Sequence, residues 1–231
     1  MAVATGAAID SGDAEALAAL LAAHPGLAAE RIGDDRMSRT LLHAAADFPG
    51  HRPHAAAIVR LLIDAGAEVD GRFAGPHRET PLHWAASNDD VELVDVLLDA
   101  GADIEATGAV IGGGTPLADA TAFRQFRAAR RLLERGATAN LFEAATMGLL
   151  DRVEELSRDL APGDQELTGA FWGACHGGQL AVARHLAGRG ADVRWVGWDD
   201  LTPLETAARA ADDGDSGAAA VVSWLTGYLS T

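Results

Sequence analysis

The chain has 231 residues, with 18 basic and 34 acidic side chains and a formal net charge of −16. A surface this acidic repels phosphate backbones and anionic lipids, so the charge argues against nucleic-acid or membrane-surface binding and favours a basic or neutral partner. Apolar residues make up 48 % of the sequence and aromatic residues only 5 %, a composition that suits closely packed short helices.

Several functional classes find no support in the sequence. Cys175 is the single cysteine, so neither an intramolecular disulfide nor a zinc site with cysteine spacing is expected. No apolar run approaches the length of a membrane span, and the first ten residues lack the basic segment of a secretory signal. We therefore expect a cytoplasmic protein, and the sequence indicates no cofactor and no metal.

Helix-start signals recur along the chain. A threonine precedes an apolar stretch each time, and its hydroxyl can cap a helix, with proline suited to the next position. A second apolar stretch at helical spacing follows, and a glycine just beyond it, such as Gly101, closes that helix. The capping positions are Thr40, Thr80, Thr115 and Thr202. Since one such helix pair cannot bury its own apolar face, pairs must stack, and the pattern predicts about seven of them.

The motif Thr80-Pro-Leu-His-Trp-Ala-Ala86, the ending Asp99-Ala-Gly-Ala-Asp103 and a period of about 33 residues resemble ankyrin repeats of the bacterial type. The resemblance implies a single all-α domain over residues 1–231, an ankyrin repeat solenoid of helix pairs stacked side by side. Short β-hairpin fingers would project between repeats, and the fingers and first helices would line a concave groove. The repeats are expected near residues 5–39, 40–79, 80–114, 115–139, 140–168, 169–201 and 202–231.

The repeat pattern is interrupted near residues 136–171. The anchor residues Leu117 and Leu141 are 24 positions apart, which leaves no room for a finger between them. Pro162-Gly163-Asp164 replaces the usual ending before the sixth repeat. We expect a pinched groove at this joint. Regular fingers are expected at residues 72–79, 106–114 and 194–201, and a less regular one at 31–39.

A structural role is expected for His43, His83 and Cys175, whereas His176 is expected to point toward the groove. His43 and His83 stand where the ankyrin resemblance implies a clasp, hydrogen-bonded to the capping threonine and to a neighbouring loop. Cys175 and His176 could suggest a nucleophile beside a base, but neighbours along a helix do not face each other. Cys175 is in register with the packed Ala86, so a core position is favoured.

Aromatic residues on the finger after the sixth repeat are the least ordinary feature of the sequence. Trp195 and Trp198 occupy positions where other repeats carry small polar residues, and they serve either cross-strand packing or recognition. Trp84, by contrast, occupies an apolar position of its helix and is expected in the core. The candidate groove residues are His77, Arg78, Asn88, Trp172, His176, Trp195, Trp198 and Asp199.

Arginines concentrate on the fourth repeat, at positions 124, 127, 130, 131 and 135. They form either a solvated face, pairs with Asp151, Glu154 and Glu155 on the next repeat, or a docking patch for an acidic partner. Surface pairs of this kind contribute little stability each.

Two functions are compatible with these patterns. The ankyrin resemblance implies a monomeric scaffold that binds a basic or neutral protein or peptide in its groove, and one version of this is a regulator dedicated to a single basic enzyme. The alternative is a small-molecule-binding protein or an enzyme with a pocket near the fifth to seventh repeats. In that case His176 would be the general base and Asp199 would orient it.

Overall fold

The structure, a computed structural model, describes residues 2–34 and 36–230. Met1, Asp35 in the expected finger at 31–39, and Thr231 at the end of the seventh expected repeat lie outside the described residues. The chain forms two compact units that divide between residues 138 and 139.

The first compact unit contains four helix pairs and one β-hairpin. Its helices are α1 Ala2–Ser11, α2 Ala14–Ala23, α3 Leu41–Ala46, α4 Ala55–Asp64, α5 Pro81–Ser87, α6 Val91–Asp99, α7 Pro116–Ala122 and α8 Phe126–Glu134. A 3₁₀ turn at Leu27–Ala29 precedes strands β1 Arg31–Gly33 and β2 Ser38–Thr40. First helices pack on first helices, as α3 on α5 and α5 on α7, and second helices pack on second helices, as α4 on α6 and α6 on α8. The pairs are therefore stacked side by side.

The second compact unit contains three further pairs. Its helices are α9 Leu141–Thr146, α10 Leu150–Ser157, α11 Gln165–His176, α12 Leu180–Gly188, α13 Pro203–Asp212 and α14 Ser216–Leu229, with a 3₁₀ turn at Trp198–Asp200. The same packing rule holds, since α9 packs on α11 and α11 on α13, while α10 packs on α12 and α12 on α14. Over the described residues the chain thus has the seven helix pairs that the sequence predicts.

Local signals set the helix ends as predicted. The Thr115 hydroxyl accepts a hydrogen bond from the Ala118 amide, and the Thr202 hydroxyl accepts one from the Glu205 amide. Gly101 and Gly190 follow the ends of α6 and α12 with φ of 90°. A residue with a Cβ would be strained in that left-handed conformation, which explains why glycine ends these helices.

The histidine clasp is confirmed in both repeats that carry it. His43 Nδ1 lies 2.8 Å from Thr40 Oγ1, and His83 Nδ1 lies 2.9 Å from Thr80 Oγ1. Each Nε2 faces a carbonyl of the following loop, that of Glu79 at 3.1 Å for His43. A carbonyl only accepts, so Nε2 carries the proton and Nδ1 accepts. Burial lowers the pKa of both histidines to about 4, which keeps the imidazoles neutral at neutral pH.

The fingers differ in regularity from the sequence prediction. Arg31–Gly33 pairs antiparallel with Ser38–Thr40, so the finger predicted to be less regular is the one that forms strands. Among the described residues the other three fingers are loops. Backbone hydrogen bonds close each of these loops, from the Phe73 amide to the Glu79 carbonyl at 2.8 Å, from the Ala109 amide to the Gly114 carbonyl at 3.0 Å and from the Gly197 amide to the Leu201 carbonyl at 2.9 Å.

The interruption at the fifth repeat is present in the secondary structure. Residues 135–140 connect α8 to α9 and are too few for a finger, whereas residues 100–115 connect α6 to α7. The next connection ends at Asp164, whose carboxylate caps α11 by accepting from the Glu166 amide at 2.8 Å. Because this cap lies early, α11 begins at Gln165, four positions before the predicted repeat boundary at 169.

Arg131 of α8 and Arg135, which follows α8, pair with acidic residues of the preceding repeat. Arg131 lies 2.8 Å from Asp95, and Arg135 lies 2.7 Å from both Asp95 and Asp99. These acidic partners are on α6, in the preceding repeat. The physical reason is the side-by-side packing of α6 and α8, which aligns their outward faces.

None of the helices formed by the described residues is both long enough and apolar enough to cross a membrane.

We predict that His83→Ala lowers the free energy of unfolding by about 2–4 kcal/mol, because it leaves the Thr80 and Gly114 groups of the clasp without their partner. Urea denaturation followed by circular dichroism measures this change. The control is His24→Ala, since that side chain is exposed, and it should change stability by less than about 0.5 kcal/mol. Equal stability of the two variants would contradict a structural role for the clasp.

Candidate functional site

The eight candidate groove residues fall in two separate places. His77, Arg78 and Asn88 belong to the first compact unit, and the other five belong to the second, namely Trp172, His176, Trp195, Trp198 and Asp199.

In the first compact unit, two of the three candidates are engaged in holding the fold. The His77 ring stacks on Phe73 with 4.4 Å between centroids, and its Nδ1 lies 3.1 Å from a Glu79 carboxylate oxygen. The Asn88 amide donates to the carbonyls of Ala46 and Trp84, at 2.8 and 3.0 Å. These contacts hold both side chains in place, and their role as groove contacts stays a prediction. Only Arg78 is exposed.

A pair of buried carboxyl groups lies behind these residues, and the sequence analysis missed it. Glu79 is 6 % exposed and accepts hydrogen bonds from the Trp84 indole at 2.6 Å and the Val110 amide at 2.7 Å. Asp119 is fully buried, and its carboxyl lies against Glu79 and the Ile111 amide. The available signal was register, because Asp119 follows the anchor Leu117 by two positions as Trp84 follows Leu82.

Burial, and then the neighbouring Glu79 carboxylate, raise the pKa of Asp119 to about 8, while the Ile111 amide opposes this shift more weakly. Two carboxylates in a dry site cannot both remain ionised at low cost. A protonated Asp119 is also the form that can donate a hydrogen bond to Glu79. The two residues thus form one buried acid–carboxylate pair.

A shallow groove of about 430 Å³ lies beside this pair. It is lined by Asp47, Phe48, Glu79, Trp84, Ser87, Asn88, Val110, Phe123 and Gln125. Trp84 was expected in the core, yet it is half-buried and lines this groove. The reason is its bond to Glu79, which holds the indole at the edge of the core.

In the second compact unit, Trp172 is a supporting residue. It is only 4 % exposed, and its indole donates to the Leu201 carbonyl at 2.9 Å. The prediction that Trp172 lines the groove is corrected, because its ring is covered by the loop that follows α12. It ties α11 to the base of the tryptophan-bearing finger.

Trp198 sits on top of this support and is 46 % exposed. Its ring makes edge-to-face contacts with Phe142, Trp172 and Trp195, with centroid distances of 4.9, 5.1 and 5.4 Å. Phe142, in the first helix of the fifth repeat, was not predicted as part of the site. Trp198 therefore packs on neighbouring rings while part of it is open to solvent, and its role in recognition stays a prediction.

The finger backbone is shaped around these rings. Asp199 and Asp200 both have φ of 57°, a left-handed conformation that costs free energy for residues with a Cβ. A Cβ on Gly197 would lie 2.5 Å from the Trp195 ring and 2.8 Å from the Trp172 ring. Only glycine allows the backbone to pass this close to both tryptophans.

The proposed base and its orienting acid have other partners. His176 stacks on Trp172 at 5.1 Å, and its Nδ1 lies 3.2 Å from Thr206 Oγ1. Asp199 is exposed, and its carboxylate lies 3.7 Å from Arg209. This arrangement does not support the enzyme alternative.

Cys175, beside His176, is fully buried, and that burial raises the pKa of its thiol. A thiol that resists ionisation is a poor nucleophile. Within residues 2–34 and 36–230, no three His, Cys, Asp or Glu side chains are grouped so that they could hold a metal ion.

An open groove of about 630 Å³ lies against Trp198. Aromatic and small side chains form its floor and polar side chains its edge. The lining residues are Asn140, Leu141, Phe142, Asp164, Gln165, Glu166, Gly169, Ala170, Trp195 and Trp198, all in the second compact unit.

Residues 54–143 match a family model described as ankyrin repeats, in three copies. The chain contains ankyrin repeats. Its structure is similar to the ankyrin repeat domain of human ASB11, with 23 % sequence identity, 96 % of each chain covered and a TM-score of 0.56.

It is also similar to the ankyrin repeat domain of Bcl-3, described as a unique member of the IkappaB protein family, with 25 % identity over 88 % of this chain and 92 % of that chain and a TM-score of 0.55. No curated protein matches the sequence. These likenesses confirm the predicted ankyrin fold. Ankyrin repeat domains are generally protein–protein interaction scaffolds, which present extended binding surfaces.

We predict that Asp119→Asn abolishes the part of the pH dependence of the free energy of unfolding that Asp119 causes between about pH 6.5 and pH 8. In this window native Asp119 retains its proton while the unfolded chain has lost it, so wild-type stability falls as the pH rises, by up to about 2 kcal/mol. Below about pH 7.5 the clasp histidines add an opposite slope, because the unfolded chain partly protonates them while the native protein does not. Wild type and Asp119→Asn share that slope, so the difference between their two pH profiles isolates Asp119. Urea denaturation at several pH values measures the effect.

The control for this experiment is Asp64→Asn, which removes an exposed carboxylate and should retain the wild-type slope. If Asp119→Asn shows the same slope as this control, Asp119 is ionised in the native protein and the buried acid–carboxylate pair does not exist.

We predict that Gly197→Ala displaces Trp195 and lowers the free energy of unfolding by about 1–3 kcal/mol, since the added methyl overlaps two indole rings. Tryptophan fluorescence and urea denaturation report the change. Gly188→Ala is the matched control, because a Cβ at Gly188 meets no atom within 4 Å. Unchanged fluorescence and stability in Gly197→Ala would show that Trp172 and Trp195 do not pack tightly against the backbone at Gly197.

Proposed function

We propose that this ankyrin repeat protein is a scaffold that binds a protein partner, and that the groove of the second compact unit, between Phe142, Trp195 and Trp198, is the binding surface. The proposal rests on the exposure and the packing of the Trp198 side chain. This large aromatic side chain is nearly half exposed, yet three other aromatic rings hold it in place.

An exposed indole gains free energy when a partner covers it. Since the Trp198 ring is already packed against three aromatic rings, its side chain would lose little rotamer freedom on binding. A rigid side chain therefore binds at a lower entropic cost than a mobile one. Tryptophan is also among the residues enriched at the energetic centres of interfaces. Backbone strain at Asp199 and Asp200 is consistent with a finger shaped for recognition.

The shape of the groove favours a polypeptide over a small molecule. Its volume of about 630 Å³ is adequate for a few side chains, but it is open to solvent, whereas small-molecule sites bury most of the ligand. We expect one segment of a basic or neutral protein to lie across it. Arg78, the exposed candidate of the first compact unit, is a second proposed contact.

The test is a selection of phage-displayed random 16-residue peptides on the purified protein. We predict peptides whose affinity falls by at least about tenfold in Trp198→Ala, because loss of a central anchor costs about 2 kcal/mol or more. Isothermal titration calorimetry with the synthetic peptides gives the affinities. Thermal denaturation establishes that the variant is folded.

The control is Tyr228→Ala, which removes an aromatic side chain that is 45 % exposed on α14, and this variant should bind as the wild type does. Failure to recover any peptide that depends on Trp198 would refute the groove as a polypeptide-binding surface. A further variant, Arg78→Ala, tests the second contact, which is absent if every affinity is unchanged.

A further inference from the structure

We propose that the segment recognised by the Trp198 groove presents an arginine or lysine side chain, held between the exposed aromatic rings and the carboxylates at the groove edge. This inference rests on the proposed function and specifies the chemistry of the partner.

The charges around the groove all favour a cation. Its lining includes the carboxylates of Asp164 and Glu166 and no lysine or arginine. Asp164 is fixed in place because it caps α11 through the Glu166 amide. Asp199 and Asp200, which follow Trp198 directly, are exposed and carry two more carboxylates on the same finger, although neither lines the groove.

Two arginines near the finger only partly offset these charges. Arg209 lies 3.7 Å from Asp199, and the Arg194 guanidinium donates to the Leu229 carbonyl at 3.3 Å. Neither lines the groove. The four carboxylates therefore exceed the local cations, and the chain as a whole carries a net charge of −16, which would steer a basic segment towards it.

The aromatic floor is suited to the same ligand. A guanidinium or ammonium group within about 6 Å of an indole centroid is attracted to the face of the ring. Elsewhere in this chain such contacts are already made internally, by Arg39 over Trp84 at 6.0 Å and by Arg184 over Trp224 at 5.9 Å. Within the part of the chain that the structure describes, no such contact is found for Trp195 or Trp198.

An apolar segment would fit the groove less well. Covering the aromatic rings with an aliphatic side chain would draw the Asp164 carboxylate out of water with the Glu166 amide as its partner but no cation, and the lost hydration of a carboxylate is costly. An arginine or lysine avoids this cost, because its stem covers the rings while its charged end remains at the carboxylates.

The inference is tested on the peptides recovered with the wild-type protein. We expect these peptides to be enriched in arginine or lysine, and one such residue to be essential. Replacing it with citrulline or acetyl-lysine, which removes the charge but keeps the length, should weaken binding at least about tenfold.

A protein variant isolates the groove carboxylates. Asp164→Asn combined with Glu166→Gln removes both charges while asparagine retains the helix cap. We expect this variant to bind the charged peptide about five- to tenfold more weakly and to bind the neutral peptide as the wild type does, which is the signature of a direct coupling. Asp151→Asn combined with Asp159→Asn removes two exposed charges elsewhere in the same compact unit and is the control.

The outcomes separate this inference from the proposed function. Peptides that require Trp198 but contain no essential basic residue would overturn the inference and leave the scaffold function standing. Equal effects of the two double variants would also overturn it, because binding would then respond to net charge alone. If no peptide requires Trp198, the proposed function fails, and the inference fails with it.

Discussion

The packing of like helices side by side is the constraint on which the rest of the structure depends. Each helix pair has one apolar stripe, and anchors such as Leu82, Leu117 and Leu186 are fully buried only because the neighbouring pairs cover them. The histidine clasp extends this dependence to the loops, since His43 reaches the Glu79 carbonyl in the loop that leads to the next repeat. Stability is therefore supplied by neighbours, and the loops that contribute little to the core are free to vary.

The finger after α12 uses that freedom. Trp172 from α11 and Phe142 from α9 provide a surface on which Trp198 rests, and Gly197 lets the backbone pass over the rings. Trp198 is both packed and exposed, because aromatic rings of neighbouring repeats contact one part of its side chain and leave the rest open to solvent. This is how a regular stack can hold an exposed aromatic residue in a fixed position.

The buried Glu79–Asp119 pair is the opposite case, in which a polar group lies inside the stack. Glu79 is satisfied by an indole and an amide, whereas Asp119 is accommodated by a raised pKa. Such a pair costs stability that a repeat with an apolar residue would retain. The pair also lowers the stability of the first compact unit as the pH rises above neutrality. The clasp histidines lower its stability as the pH falls into the acid range.

The sequence by itself determined the helix pairs, their caps and the missing finger between Leu117 and Leu141, because these features follow from spacing and from short-range hydrogen bonds. It also located Trp198. Only the tertiary structure decided which side chains face solvent: Trp172 turned inward, and His176 and Asp199 took separate partners. Those outcomes depend on contacts between residues far apart in the chain, such as Asp119 with Glu79. A local sequence pattern does not specify which distant side chains come into contact.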